Sequence, residues 1–292
     1  MRSFSEYDPK VVAFYFFSVT GLAMFCSYPA ITAMTLGGGV LYYIVRNRRK
    51  HIKSHLFFFL LFLALALINP LISHNGATVL FVMNDNPVTL EALLYGINSA
   101  AMVVGVLYWF RSFTEIMTSE KLLYLTGTLS PKLSLVLSMA LRFVPLFRRQ
   151  SAKVSDAQKA MGLFKEDNVI DDVRSNMRIF SVLITWALEN GIITADSMAA
   201  RGFGTGRRTQ FTNYRMRRWD YLFLAADIVL MTLCIWAAAS GAYTFEFYPM
   251  MRYRGSAEHK IIGEAAYGIL VLLPVIVELE VNIRWKYLKS KI

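Results

Sequence analysis

Two stretches of this sequence carry the same short pattern, Ala160-Met161-Gly162 and Ala200-Arg201-Gly202, each at the end of an apolar or amphipathic run. Alanine and glycine keep a helix end slim enough to enter a groove. An arginine between them offers five N–H donors to carboxylates or to exposed helix carbonyls. A buried charged contact of that kind is costly to remove. A plainer reading is equally compatible with the residues: glycine simply stops the helix, and Arg207-Arg208 serve as topology charges. Gly202, Gly204 and Gly206 do not make a phosphate loop, which would follow a strand and open a helix; here an apolar helix precedes and polar coil follows.

Other chemistry is sparse. His51 and His55 stand at i, i+4, a spacing that can put two ligands on one helical face. They lie in a basic stretch that repels a cation, with no acidic third ligand nearby, so a solvated or headgroup-facing pair is expected. Asp227, Glu278 and Glu280 fall within or near apolar runs, where acids are functional suspects. Their closeness to Arg284, Lys286 or a basic boundary points instead to interfacial ion pairing. Cys26 and Cys234 sit inside apolar runs and read as packing residues. No nucleophile–base pair is legible, and no catalysis is assigned.

The elements that must position these residues are membrane helices. Of 292 residues, 55% are hydrophobic and only 17% charged, a composition that belongs to membrane proteins. The net charge of +11 is not spread as a nucleic-acid surface would require; basic residues cluster between apolar runs, and no nucleic-acid partner is expected. Six runs approach the length of a span: Val11–Ser27, Ala30–Val45, Leu56–Ile72, Leu90–Phe110, Leu222–Ala242 and Ala265–Ile283. The second contains Gly37-Gly38-Gly39, which weakens a helix but lets a neighbour approach closely. No cleavable leader is expected, since the first run follows Glu6, Asp8 and Pro9.

Positive charge orients the spans. Arg46, Arg48, Arg49, Lys50 and Lys53 place the second loop in the cytoplasm, whereas Ser73–Thr89 carries no Lys or Arg and is expected outside. Arg111–Arg218 holds 17 of the 31 basic residues and is expected inside, as are both termini. The resulting organisation is an all-α integral membrane protein with about six transmembrane helices plus long cytoplasmic-side helices. Residues 1–112 supply four spans, 113–218 the cytoplasmic-side module and 219–292 two more spans.

Within the module, Ser130-Pro131 is a helix start, a serine cap followed by proline at the first helical position. That helix is apolar from Leu133 to Phe147 apart from Arg142 and Pro145, turns amphipathic, and stops at Gly162. A second helix begins near Asp171-Asp172, where acidic side chains suit an N-terminus, and stops at Gly202. If these were two further spans, Arg142 would lie mid-membrane at roughly 2.5–3.5 kcal/mol, with Glu189 and Asp196 adding more. A hairpin along the cytoplasmic face avoids that cost.

Several segments resemble the T component of energy-coupling factor (ECF) transporters, the group that includes a cobalt-transporter subunit of the same type. They are "INPLISHNGATVLFVMND", "TLEALLYG", "MTSEKLLYLTGTLSPKL", "RFVPLF", "AQKAMG" and "ADSMAARGFG", in family order from about Leu56 to Phe211, with "EYDPKV" resembling a degraded Asp-Pro-Arg opening. The resemblance implies a non-catalytic membrane scaffold of an importer for vitamins or transition metals. Its partners would be two ABC-type ATPase subunits and a membrane-embedded, substrate-binding S component, with ATP and magnesium held by the ATPases and no cofactor in this chain. It further implies that Ala200, Arg201 and Gly202 dock one ATPase and that Ala160, Met161 and Gly162 dock the other, although Met161 stands where the family has arginine. Lys159 or Lys165 could supply the missing charge, and Arg142 and Pro145 would support the coupling helices. The family setting is the bacterial or archaeal cytoplasmic membrane. A stand-alone secondary transporter, the competing reading, would need mid-depth polar sites and an inverted repeat, and neither is legible.

Overall fold

The computed structural model describes residues 3–46, 52–73, 76–83, 86–162, 169–206 and 214–289. His51, Arg48, Arg49, Lys50, Lys165, Arg207 and Arg208 lie outside the described residues. The chain divides into two compact units, residues 1–122 with 214–292, and residues 123–213.

The first unit contains all six expected spans as helices: α1 (Pro9–Phe25), α2 (Pro29–Arg46), α3 (Ile52–Ile72), α4 (Leu90–Ile116), α8 (Arg218–Ala239) and α9 (Ala257–Lys289). Asp8 caps α1 by accepting the Lys10 N–H at 2.9 Å, with Pro9 in the first turn, where its missing N–H costs nothing. Thr89 caps α4 through the Ala92 N–H at 3.3 Å. Helices α4 and α9 outrun their apolar cores, because helical hydrogen bonding continues through polar flanks once it has begun. The loop expected outside carries an antiparallel hairpin, β1 (Val79–Met83) with β2 (Asn86–Thr89), and the loop between α8 and α9 carries another, β3 (Phe245–Glu246) with β4 (Arg252–Tyr253). They lie at one end of the unit, joined by Ala77 N–H donating to the Pro249 carbonyl at 3.1 Å.

Among the described residues, five helices are long and apolar enough to cross a membrane: α3, α4, α8, α9 and α7 (Val169–Ala200) of the second unit. Helix α1 is apolar but has only 17 residues. Helix α2 is not among the five; two of its three glycines serve packing. A Cβ at Gly38 would overlap Val271 of α9, and one at Gly39 would lie 3.1 Å from Tyr108 Cβ and 3.2 Å from Trp109 Nε1 of α4. At Gly105 of α4 it would come within 3.0 Å of the Leu36 backbone nitrogen. Close approach through small residues is how helices associate where lipid removes most of the hydrophobic drive.

Gly96, on α4 against α3, gives a sharp test. A Cβ there would sit 2.6 Å from the Ala66 carbonyl oxygen and 3.0 Å from Asn69 Cβ. Alanine gains about 1 kcal/mol of helix propensity, but a backbone carbonyl cannot rotate away, and overpacking costs about 1–3 kcal/mol. Gly96→Ala is expected to lower the thermal midpoint in detergent by several degrees; an unchanged or higher midpoint would show that α3 shifts freely.

Buried polar pairs pin the helices. Trp109, fully buried, donates its indole N–H to the Thr35 carbonyl at 3.0 Å and stacks on Tyr42 with centroids 5.8 Å apart. Thr35 meets the Tyr267 hydroxyl at 2.7 Å, and Tyr15 donates to the Leu270 carbonyl at 3.1 Å.

Three expectations are corrected here. Asp227 makes no interfacial ion pair; it is fully buried and accepts the Ser18 hydroxyl at 2.9 Å, tying α8 to α1. Glu278, also buried, accepts the Phe4 N–H at 3.1 Å rather than pairing with a basic tail residue. His55 is half-buried: its ring meets the Tyr108 hydroxyl at 3.0 Å and packs edge-on to Tyr43. Glu280 does pair with Arg284, at 3.0 Å.

The described residues of the second unit are mostly helical, with turns after each long helix. Helix α5 (Ser119–Leu129) leads into α6 (Pro131–Ala160), and α7 follows. Ser130 caps α6 as expected, its hydroxyl accepting the Leu133 N–H at 3.5 Å, and α6 continues through Pro145. Asp171 and Asp172 occupy the first turn of α7.

Candidate functional site

Helices α6 and α7 cross in antiparallel order. Phe147 and Trp186 meet edge to face at 5.6 Å, and further along Ser151 and Ser155 share a cleft with Phe180, Ile179 and Asn176. Ile179 is buried at this crossing, whereas most of both helices is exposed. In antiparallel order the two C-terminal ends point away from the crossing on opposite sides. At 1.5 Å per residue, Met161 lies roughly 14 Å beyond Ala152 and Arg201 roughly 31 Å beyond Phe180.

The ends themselves are built alike. At α7, Gly202 adopts φ +77° and its N–H donates to the Ala199 carbonyl at 3.0 Å, while the Phe203 N–H reaches the Met198 carbonyl at 3.0 Å. This is a Schellman motif, which closes the last carbonyls with a left-handed residue that glycine adopts without Cβ strain. Arg201 is therefore the C-cap residue. At α6, Gly162 adopts φ +68° and its N–H donates to the Lys159 carbonyl at 3.0 Å, which makes Met161 the C-cap. Met161 and Arg201 thus hold the same position at two equivalent ends. Ala160, Met161, Gly162, Ala200, Arg201 and Gly202 are all exposed, and Met161 keeps 65% of its surface.

A cation at Arg201 suits a helix C-terminus, where the macrodipole is negative. With Gly202 and Phe203 already closing the carbonyls of Ala199 and Met198, the guanidinium is not needed for capping. Arg142 and Pro145 are likewise exposed, on α6. Pro145 has no N–H to donate to the Leu141 carbonyl one turn earlier, a local weakness in the ladder of hydrogen bonds.

The residue reading did not single out a stripe of exposed apolar residues on α7: Met177, Phe180, Ile184, Leu188 and Ile192, spaced by three or four and each at least 44% exposed. On α6, Leu133, Val136 and Val144, three and eight residues apart, are also exposed. The signal was present as period-3.6 apolarity. Exposed contiguous apolar surface of this kind marks contact with protein or lipid.

The family model described as cobalt transport protein (CbiQ) matches residues 2–212, which takes in both helix ends. The chain belongs to the CbiQ family. This family member is also similar to proteins named energy-coupling factor transporter transmembrane protein EcfT. EcfT 1 of Listeria monocytogenes is 33% identical over 104 residues, 35% of this chain and 38% of the relative. The protein of Lacticaseibacillus paracasei is 32% identical over 106 residues, covering 36% and 40%. That of Ruminiclostridium cellulolyticum is 24% identical over 202 residues, covering 55% and 76%. The match thus spans about two fifths of the length of the first two relatives. Family and apolar helices together make this a multi-pass membrane protein.

Proposed function

We propose that this chain is the non-catalytic transmembrane scaffold (T) subunit of an ECF-type ABC importer in a bacterial or archaeal cytoplasmic membrane, with both termini cytoplasmic. The observation that carries the reading is the pair of exposed, equivalently closed helix ends on opposite sides of one crossing, in a CbiQ-family chain. Two such ends offer one docking tip to each of two ABC-type ATPases, which hold the ATP and magnesium. The apolar stripe of α7 and the apolar face of α6 would receive the substrate-binding S component. Movement imposed on Met161 and Arg201 by the ATPases is then transmitted along the two helices to that component. Substrate choice, vitamin or metal ion, belongs to the S component.

The two tips differ in chemistry. Arg201 offers charge-assisted hydrogen bonds, while Met161 offers a flexible, polarizable apolar side chain. Two non-identical ATPases would account for that asymmetry.

Co-purification in mild detergent with the host's ABC ATPases tests the proposal. Two ATPases are expected to follow the wild-type protein; if none does, the scaffold reading fails. Met161→Arg, an exposed change that restores the family residue, is expected to keep both ATPases within about threefold of wild type. Loss of one ATPase from that variant would show that its groove is apolar.

A further inference from the structure

A cavity of about 420 Å³ opens between α8 and α9 in the first unit, within the roughly 300–1,000 Å³ of small-molecule sites. Its walls are Leu222, Phe223 and Ala226 of α8 and Leu273, Val277 and Val281 of α9. They recur at three- and four-residue spacing, so each helix offers one apolar face. Leu222 of this wall and Ile276, next to Val277 in the chain, are 63% and 58% exposed, as expected of surface that meets acyl chains.

Polar groups gather at one end. Tyr7, Trp219, Arg217, Asp220 and Glu280 complete the lining. Both acids are occupied: Asp220 is buried and accepts the Arg217 N–H at 2.8 Å and the Asp8 N–H at 3.5 Å, while Glu280 pairs with Arg284 at 3.0 Å. Arg217 is exposed and makes no ion pair among the described residues, and Arg215 and Arg218 beside it are exposed as well. Arg215, Arg217, Arg218 and Arg284 outnumber Asp220 and Glu280, so the rim is net positive, and Trp219 and Tyr7 supply the amphipathic rings that settle at a headgroup boundary.

We propose that this cavity is a binding site for one anionic phospholipid, with an acyl chain between α8 and α9 and the phosphate held by Arg217. A soluble ligand fits less well, because the apolar walls continue into exposed apolar surface. Charge complementarity decides the headgroup: anionic lipid attracts a basic residue by about fivefold in binding per residue near the surface. The site does not depend on the transporter reading, only on α8 and α9 spanning the membrane.

Trp219 supplies the readout. The full-length protein is reconstituted in phosphatidylcholine vesicles containing a small, equal fraction of brominated phosphatidylglycerol or brominated phosphatidylcholine. Quenching is measured, and the part lost in Trp219→Phe is assigned to Trp219. The anionic quencher is expected to be about fivefold more effective at Trp219, with Arg217→Gln bringing the ratio close to one. Ala226→Phe, which fills the cavity, is expected to reduce quenching by both lipids. Equal quenching by both lipids in the wild type would mean ordinary surrounding lipid only and overturn the site. An unchanged ratio in Arg217→Gln would overturn the role of Arg217.

Discussion

Arg201→Glu is expected to strip ATPase from the purified complex and abolish transport while leaving the protein inserted and helical. Arg201 is exposed, and the carbonyls beneath it are already closed by Gly202 and Phe203, so the substitution breaks no fold contact. Its intramolecular cost is a carboxylate at a helix C-terminus, about 0.3–1 kcal/mol. Its cost in the proposed ATPase groove is expected to be far larger. Removing one partner of a buried charged pair costs about 2–5 kcal/mol, and reversing the sign adds repulsion, so affinity falls by two orders of magnitude or more. Co-purified ATPase at near wild-type stoichiometry would remove Arg201 from the coupling path. A loss of membrane-inserted protein would instead assign it a folding role. Glu at Met161, by contrast, breaks no charge-assisted bond, so its effect reports how apolar the other groove is.

Phe4→Ala is expected to be the most damaging single truncation outside the core helices. Phe4 is fully buried and meets five rings, Tyr7, Tyr15, Phe16, Tyr42 and Phe223, at 5.3–6.3 Å. Its N–H donates to Glu278 at 3.1 Å, and its neighbour Ser5 accepts the ammonium of Lys121 at the start of α5. That ammonium also reaches the Ile116 carbonyl at 3.2 Å, and burial, helped by Arg46, pulls its pKa below the ordinary lysine value. Phe4 therefore plugs the point where α1, α2, α8 and α9 converge. A Phe→Ala cavity costs about 3–5 kcal/mol, which corresponds to on the order of 10 °C in thermal midpoint. Phe4→Leu should recover much of this. A drop under about 2 °C for the alanine variant would mean that the cluster repacks without the ring.

Much of this was legible in the chain itself. The six apolar runs are all helices, Ser130 caps α6 and both Ala-x-Gly stretches end helices with a left-handed glycine. These features are local: apolar length, caps and glycine conformation act within a few residues. The triple glycine of α2 was also legible as a close-packing stretch, although its contacts with Val271 and Trp109 were not. Asp227 and Glu278 were misread because sequence proximity to arginine and lysine suggested ion pairs, and His55 because its basic neighbours suggested a solvated or headgroup-facing ring. Their partners lie far along the chain: Ser18 is 209 residues from Asp227, Phe4 is 274 from Glu278, and Tyr108 is 53 from His55. The α7 stripe, by contrast, had a visible period in a helix whose body read as apolar.

The sequence by itself determined a basic, multi-span helical protein, the places where its helices start and stop, and the chemical difference between Met161 and Arg201. Only the tertiary structure decided that those two residues occupy equivalent positions on opposite sides of a crossing. It also decided that Asp227 is an interhelical pin and that the acids lining the α8–α9 cavity are occupied while Arg217 is left at its rim. The reason is physical: helix propensity and capping depend on neighbours in the chain, whereas the partner of a buried polar group depends on which distant segments pack around it.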